Sequence, residues 1–217
     1  MSGKKKESLH TQRRDYKGEN LDEATLSSNP GIIFREWIQN AIEHELEDAT
    51  ACALSTVSRD YQVSSRMVLL KYFESDCFWF FGNYNSRKSI QMAEVPHASL
   101  LFYWKEYARQ IRIEGSITRA ENELNDNYFQ SRPRLSQIAA VISDQSRTIE
   151  SRQKLEEKFS SAVSELKDAA IPRPENWGGW KLTAHRYEFW QGQENRLHDR
   201  IEFIKNEDNW IRRRLQP

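Results

Sequence analysis

Four groupings of basic and polar side chains in this 217-residue chain have the composition of anion sites. The first is Ser86-Arg87-Lys88, where the pattern predicts the start of a short helix running to Glu94. Cations in a first turn oppose the helix dipole, at a cost of roughly a few tenths of a kcal/mol each. Free N–H groups beside two cations instead suit a bound phosphate, although a pair of solvated charges explains them too. The second is Arg196-Leu197-His198-Asp199-Arg200. Extended geometry puts Arg196, His198 and Arg200 on one face, with Leu197 and Ile201 on the other. Three potential cations on one face repel unless an anion or an acidic partner is near, and a salt-bridged sheet face is the plain alternative. The third is Tyr128, Arg132, Arg134 and Ser136, a set suited to a phosphate monoester, or a solvated helix end. The fourth is the predicted strand Arg66 to Lys71. Met67, Val68, Leu69 and Leu70 lie there between two cations, an apolar platform for a flat ring with charged ends, or an ordinary core strand. Together the four imply at least two anion sites, as two phosphorylated ligands would require.

Elements that would position these groups can be read from periodicity. Residues 1 to 20, with Lys4-Lys5-Lys6 and Arg13-Arg14-Asp15-Tyr16, are polar and read as a mobile arm, and residues 21 to 217 as a single domain. Asn29-Pro30 is a helix start, and Ile33, Phe34, Trp37, Ile38 and Ala41 follow at helical spacing. Strands are expected at Thr50 to Val57, Ser64 to Tyr72, Ala98 to Tyr103 and Arg109 to Ile117, with Cys77 to Phe81 a strand buried on both faces. In the strand from Arg109, Ile111 and Ile113 share one face and Gln110, Arg112 and Glu114 the other. Helices are expected over 121 to 131 and 151 to 167, the second carrying Leu155, Phe159, Val163 and Leu166 on one stripe. The tail reads as three strand segments: Trp180 to Arg186; Tyr187 to Gln191 with Arg196 to Ile201; and Trp210 to Leu215. Closely spaced antiparallel strands with few helices predict a mainly β fold, a β-barrel decorated by helices.

Composition narrows the function. Lys plus Arg and Asp plus Glu each number 32, so the chain is formally neutral, which argues against a nucleic-acid-binding module. Cys52 and Cys77 lack a CxxC neighbour and read as free thiols in a reducing, cytoplasmic compartment. The five histidines have no ligand spacing, so no metal is expected. No apolar run is long enough to span a membrane, and no secretory signal follows the basic N-terminus. Walker, GxGxxG and hydrolase-triad patterns are absent.

The motifs as a set resemble the pyridoxamine 5′-phosphate oxidase family. The resemblance is carried by Ser64 to Lys71, by Asn83-Tyr84-Asn85-Ser86-Arg87-Lys88 and by Arg109 to Gly115. It continues through Tyr128-Phe129-Gln130-Ser131-Arg132-Pro133-Arg134, Ser136-Gln137-Ile138, Gln145-Ser146 and Trp177-Gly178-Gly179. The most specific segment is Glu188-Phe189-Trp190-Gln191-Gly192 leading to Arg196-Leu197-His198-Asp199-Arg200. Order and spacing hold from about residue 13 to Pro217.

The resemblance implies an FMN-binding split barrel, working as a homodimer with FMN at the subunit interface. Its implied activity is oxidation of pyridoxine or pyridoxamine 5′-phosphate to pyridoxal 5′-phosphate, with O2 as acceptor and H2O2 as product. FMN would be held by Arg66, Met67, Val68, Leu69, Leu70, Lys71, Phe81, Gly82, Arg87 and Lys88, with Gln110, Gln145, Ser146, Trp190 and Arg200 completing the site, some from the partner. Lys71, Tyr128, Arg132 and Ser136 would hold the substrate phosphate. Arg196 and His198 would be catalytic beside the pyridine ring, with Leu197 between them, and Arg13, Arg14, Asp15 and Tyr16 would form a lid. Three departures stand out: Gly82 where the family usually has a hydroxyl residue, Leu135 where Gly or a polar residue is common, and Ala139-Ala140-Val141 in place of Gly-Ala-Trp. A missing hydroxyl at 82 removes one hydrogen bond to FMN, worth roughly 0.5–1.5 kcal/mol. A phenazine-pathway flavin oxidase and a non-enzymatic carrier are the rival readings. The substrate-phosphate set disfavours the first, and the Arg196/His198 pair the second.

Overall fold

A computed structural model describes residues 15–16, 18–167 and 169–217; Lys4-Lys5-Lys6, Arg13 and Arg14 of the expected arm lie outside them. The first helix, α1 (Pro30–Glu43), begins as its sequence demands: the Asn29 side chain accepts from Gly31 N at 2.9 Å, and Pro30 needs no donor. Its stripe of Ile33, Phe34, Trp37, Ile38 and Ala41 is buried. Phe34 meets Phe73, Phe78 and Phe102 edge-on at centroid distances of 5.1, 4.9 and 5.3 Å.

That helix plugs a curled antiparallel sheet. Its strands are β1 (Ala51–Val57), β2 (Val63–Leu69), β3 (Tyr72–Glu74), β4 (Cys77–Asn83), β5 (His97–Trp104), β6 (Arg109–Arg119), β7 (Trp177–Gln191), β8 (Asp199–Asn206) and β9 (Asn209–Arg214). The order is β2-β1-β5-β6-β7-β4-β3, with β8 on β7 and β9 on β8. The α2 helix (Arg87–Glu94) bridges β4 and β5, while α3 (Asn122–Ser131), α4 (Arg134–Ile142) and α5 (Arg152–Leu166) connect β6 to β7. These last three build a satellite core of Phe129, Ile138, Ala140, Ile171 and Trp177. Among the described residues no helix is long and apolar enough to cross a membrane.

Several expectations are corrected by the packing. The strand expected from Ser64 to Tyr72 ends at Leu69, because Leu70 N bonds Thr50 O and Lys71 N bonds Trp79 O, carrying the chain from the sheet edge towards β4. On β4 only one face is closed, by Phe78 and Phe80; the Cys77, Trp79 and Phe81 face is half-buried. On α5 no residue is fully buried, and Leu155 is 42% exposed, because its stripe rests on the small satellite core. The α4 helix was not anticipated; its amphipathic run is short and follows Pro133.

The largest revision concerns the tail. The two segments expected at Trp180 to Arg186 and Tyr187 to Gln191 form one long strand, β7. Ala184 pairs with Gly115 and Arg186 with Glu114, leaving His185 as a bulge. A β-carbon on Gly115 would lie 2.3 Å from Thr183 O, so only glycine fits there. Bent in this way, β7 pairs β4 along Trp177–Thr183 and β8 along Arg186–Gln191. Arg196 is not on a strand: a 3-10 turn spans Glu194–Arg196, with φ of 54° at Asn195 and 63° at Arg196, and β8 starts at Asp199. The turn breaks the alternation, so Leu197 is 69% exposed whereas Ile201 is buried.

The packing around Phe34 predicts that Phe34→Ala costs about 3–5 kcal/mol of unfolding free energy, whereas Leu155→Ala, on the half-open α5 stripe, costs less than about 1 kcal/mol. Urea unfolding of the two variants beside the parent chain checks the difference.

Candidate functional site

A pocket of about 410 Å³ opens between β2, β4 and α4. Arg66, Met67, Val68, Leu69, Lys71, Phe81, Gly82, Lys88, Gln145, Tyr128 and Arg132 all line it, so members of both expected phosphate sets meet in one cavity. The crossover at Leu70-Lys71 explains how Arg66 and Lys71 face the same space. Leu70 itself turns into the core and is buried. Met67, by contrast, is 65% exposed.

Arg66 is held by neutral oxygens alone. Its Nη1 donates to Leu54 O at 3.1 Å and Thr56 Oγ1 at 2.7 Å, and its Nη2 to Ser64 Oγ at 2.7 Å. Both hydroxyls donate in turn to Gln91 Oε1, at 2.6 and 2.8 Å, which leaves their lone pairs for Arg66. Lys88, only 8% exposed, donates to Ser86 Oγ at 3.1 Å and Gln145 Oε1 at 2.9 Å. Burial, and then the nearby Arg66 charge, pull the Lys88 ammonium down to about 8. At the head of α2, Arg87 N donates to Ser146 Oγ at 3.2 Å, and Ser146 is held at a φ of 72°. Arg87 and Ser146 line an adjoining pocket of about 390 Å³.

On the other side of the cavity, Phe81 lies 4.1 Å from Tyr128 and stacks at 5.8 Å on Trp177. Arg132 covers the Trp177 ring at 4.7 Å, and its Nη1 is a buried donor with no hydrogen-bond partner. Burial lowers the pKa of four lysine and arginine side chains among the described residues: Arg66, Lys88, Arg109 and Arg132. Arg109 has a carboxylate, Glu19, at 3.3 Å. The other three share the pocket, and no carboxylate pairs with them among the described residues. Buried charge without a partner is costly, so the chemistry of this donor set fits phosphate groups, with the apolar side chains of β2 for a flat ring.

A second constellation lies elsewhere on the same sheet. Gln110 on β6 is in register with Trp190 on β7, and Trp190 with Arg200 on β8, so the three share a sheet face. Trp190 lies 4.7 Å from the His198 ring, and Tyr16 meets both rings edge-on at 5.4 and 5.5 Å. His198 Nδ1 accepts from Gln193 N at 3.0 Å. A backbone N–H only donates, so the neutral ring carries its proton on Nε2. Burial, and then Arg196, hold the His198 pKa below the usual histidine value. None of Gln110, Trp190, Arg196, His198 and Arg200 lines the 410 Å³ pocket.

Some expected residues fall outside both groups. Ser136 sits in the first turn of α4 and does not line the pocket. Arg134 caps α5 instead, donating to Leu166 O, Lys167 O and Ala169 O. Leu197 is exposed, Asp15 is exposed, and Arg13 and Arg14 lie outside the described residues. Asn83, Ala139, Ala140, Ser143 and Trp177 also line the pocket and were not singled out as site residues. Trp177 and Asn83 stood inside quoted motifs; α4, which supplies Ala139 and Ala140, was not foreseen.

Comparison with known proteins gives a consistent relationship. Residues 38–164 match the family model described as pyridoxamine 5′-phosphate oxidase, and residues 177–217 match the pyridoxine 5′-phosphate oxidase C-terminal dimerisation region. The pyridoxine/pyridoxamine 5′-phosphate oxidase of Acaryochloris marina is 42% identical over 210 residues, 97% of this chain and 96% of that protein. Pyridoxine/pyridoxamine 5′-phosphate oxidase 1 of Hydrogenovibrio crunogenus is 45% identical over 211 residues, 96% and 97% of the two chains. Among solved structures, PhzG from Burkholderia lata 383, in complex with tetrahydrophenazine-1-carboxylic acid, superposes with a TM-score of 0.86 at 27% identity, covering 92% of this chain and 99% of PhzG. A pyridoxamine 5′-phosphate oxidase-related, FMN-binding protein from Nostoc punctiforme shares the fold, with a TM-score of 0.70 at 16% identity and coverage of 89% and 100%.

Protonated Lys88 attracts an anion and neutral Lys88 does not. Affinity for a phosphate monoester is therefore expected to be full below about pH 8 and to fall as pH rises above it. Calorimetric titration between pH 7 and 10 reads this slope, and Lys88→Met should flatten it.

Proposed function

The chain belongs to the pyridoxamine 5′-phosphate oxidase family, and on that premise we propose how its residues carry out the oxidation of pyridoxine or pyridoxamine 5′-phosphate to pyridoxal 5′-phosphate. FMN is the cofactor, and when bound it supplies the two-electron oxidation, with O2 as the final acceptor and H2O2 as product. Arg66, Lys88, Gln145 and the α2 start with Arg87 and Ser146 hold the FMN phosphate. Met67, Val68, Leu69, Phe81 and Gly82 flank the ring system. Lys71, Tyr128 and Arg132 hold the substrate phosphate, with Ser136 joining from α4. The observation that carries this reading is the set of three desolvated cations in one pocket without a carboxylate. Arg132, the one of the three not assigned to FMN, together with Lys71 and Tyr128 favours a phosphorylated substrate over the phenazine-type ring seen with PhzG.

The protein works as a homodimer through its C-terminal dimerisation region. We place FMN at the subunit interface, with Gln110, Trp190 and Arg200 reaching it from the partner. Two features support this. These three residues line no part of the pocket of their own chain, and among the described residues β2 is an edge strand beside exposed Val63, Met67 and Leu69. Arg196 and His198 orient the pyridine ring beside the bond that is oxidised, and the neutral His198 offers Nε2–H as a donor. Residues 21–217 act as a single domain, and Tyr16, packed on Trp190 and His198, closes the site against water. The protein acts in the cytoplasm.

Aldehyde formation from pyridoxine 5′-phosphate in air with FMN present tests the activity; no product at saturating FMN overturns it. Arg196→Ala is expected to lower turnover roughly a hundredfold while FMN occupancy, read from the flavin absorbance of the purified protein, stays near that of the parent. Equal loss of both moves Arg196 out of the substrate pocket.

A further inference from the structure

We propose that Glu188 is a positioning residue for the flavin site, its carboxylate and the main-chain oxygen of Gln216 together setting the angle at which Arg200 is presented. This rests on the proposed place of Arg200 at FMN. Glu188 is a β7 residue only 3% exposed, in register with Arg112 on β6 and Glu202 on β8. Its two oxygens are committed to different arginines. Oε2 accepts from Arg112 Nη2 at 2.5 Å, and Oε1 from Arg200 Nε at 2.9 Å. A carboxylate bound at both oxygens by groups on two neighbouring strands cannot swing.

Arg200 is fixed from a second direction by the end of the chain. Its Nη1 donates to Gln216 O at 2.8 Å, and its own carbonyl accepts from Leu215 N at 2.8 Å. A guanidinium is planar, so two acceptors at Nε and Nη1 determine its plane. Its Nη2 has no partner found among the described residues. Glu188 and Trp190 lie two residues apart on the same face of β7, and Trp190 is the register partner of Arg200. The carboxylate therefore sits one position inside the row expected to meet FMN, where it can fix an arginine of that row without touching the ligand.

The adjacent Glu202 provides an internal contrast. It is as buried, at 3% exposed, but it holds Arg186, which also reaches Glu114 at 3.5 Å and is not in the row with Trp190. A face that merely needed neutralising charges would use the two glutamates alike. Their different partners assign positioning to Glu188 alone.

The test is fluorescence titration of FMN into the stripped dimer, with thermal melting run beside it. Glu188→Gln is expected to weaken FMN binding about tenfold, the loss of one charge-assisted hydrogen bond's orientation. Arg200→Ala should weaken it at least as much, and adding Glu188→Gln to Arg200→Ala should change it by less than about twofold, because the glutamate acts through the arginine. Glu202→Gln should leave FMN affinity near the parent value. Unchanged or tighter binding in Glu188→Gln, additive losses in the double variant, or an equal loss in Glu202→Gln each overturns the inference. If Arg200→Ala itself leaves FMN binding intact, the placement of Arg200 at FMN falls, and this inference with it. If Arg200→Ala weakens binding while Glu188→Gln does not, only the inference falls. Should Glu188→Gln fail to fold, Glu188→Asp keeps the buried charge but withdraws it by one methylene, and the same outcomes are read from it.

Discussion

Buried Lys88 and half-buried Arg66 and Arg132 share a cavity with other cations, neutral oxygens and aromatic rings, and no carboxylate pairs with them among the described residues. A buried ion without a counter-ion is among the costliest arrangements a fold can hold. Here the cost is visible in the fall of the Lys88 pKa to about 8 and in the orphaned Nη1 of Arg132. The other polar face of the sheet is built on the opposite principle. There Arg112, Arg186 and Arg200 meet Glu114, Glu188 and Glu202 and neutralise one another. A chain with zero formal charge has thus divided its arginines into a satisfied set and an unsatisfied set. The unsatisfied set has the donor chemistry that suits phosphate groups.

Much of the architecture follows from keeping that cavity open and rigid. The neutral oxygens around Arg66 are held by Gln91 from α2, the helix whose start carries Arg87 and Lys88, so the two walls of the cavity are tied together. The satellite core under α3 and α4 supports Tyr128 and Arg132 from the far side. The long β7 strand joins the two constellations: its first half pairs β4 beside the cavity, and its second half carries Glu188 and Trp190. The bulge at His185 bends it between these tasks. One chain does not bring the two constellations into one pocket, and the C-terminal dimerisation region makes the working unit a homodimer.

The grouping of the basic residues was more legible in the sequence than the path of the chain. Arg66, Lys71, Tyr128 and Arg132 were singled out as anion-binding, and they do share a cavity. The α1 stripe and the alternation in β6 were also plain, because a cap and a strict period leave little choice. The tail was not legible in the same way. Asn195 and Arg196 adopt positive φ, which ordinary residues seldom reveal in advance, so an extended reading of Arg196 to Arg200 was the natural error. The crossover at Leu70-Lys71 depends on hydrogen bonds to Thr50 and Trp79, which are distant in sequence. Arg134 looked like its neighbour Arg132 by type and spacing, and only the position of the α5 end shows that it caps a helix.

The central claim is that the cations of the cavity exist for phosphate and not merely for a flat ring. Comparing the affinities of FMN and riboflavin for the stripped protein measures this directly, because the two ligands differ only in the phosphate. With several charge-assisted hydrogen bonds at stake, FMN should bind tighter by about two orders of magnitude or more. Equal affinity for the two flavins would contradict the account.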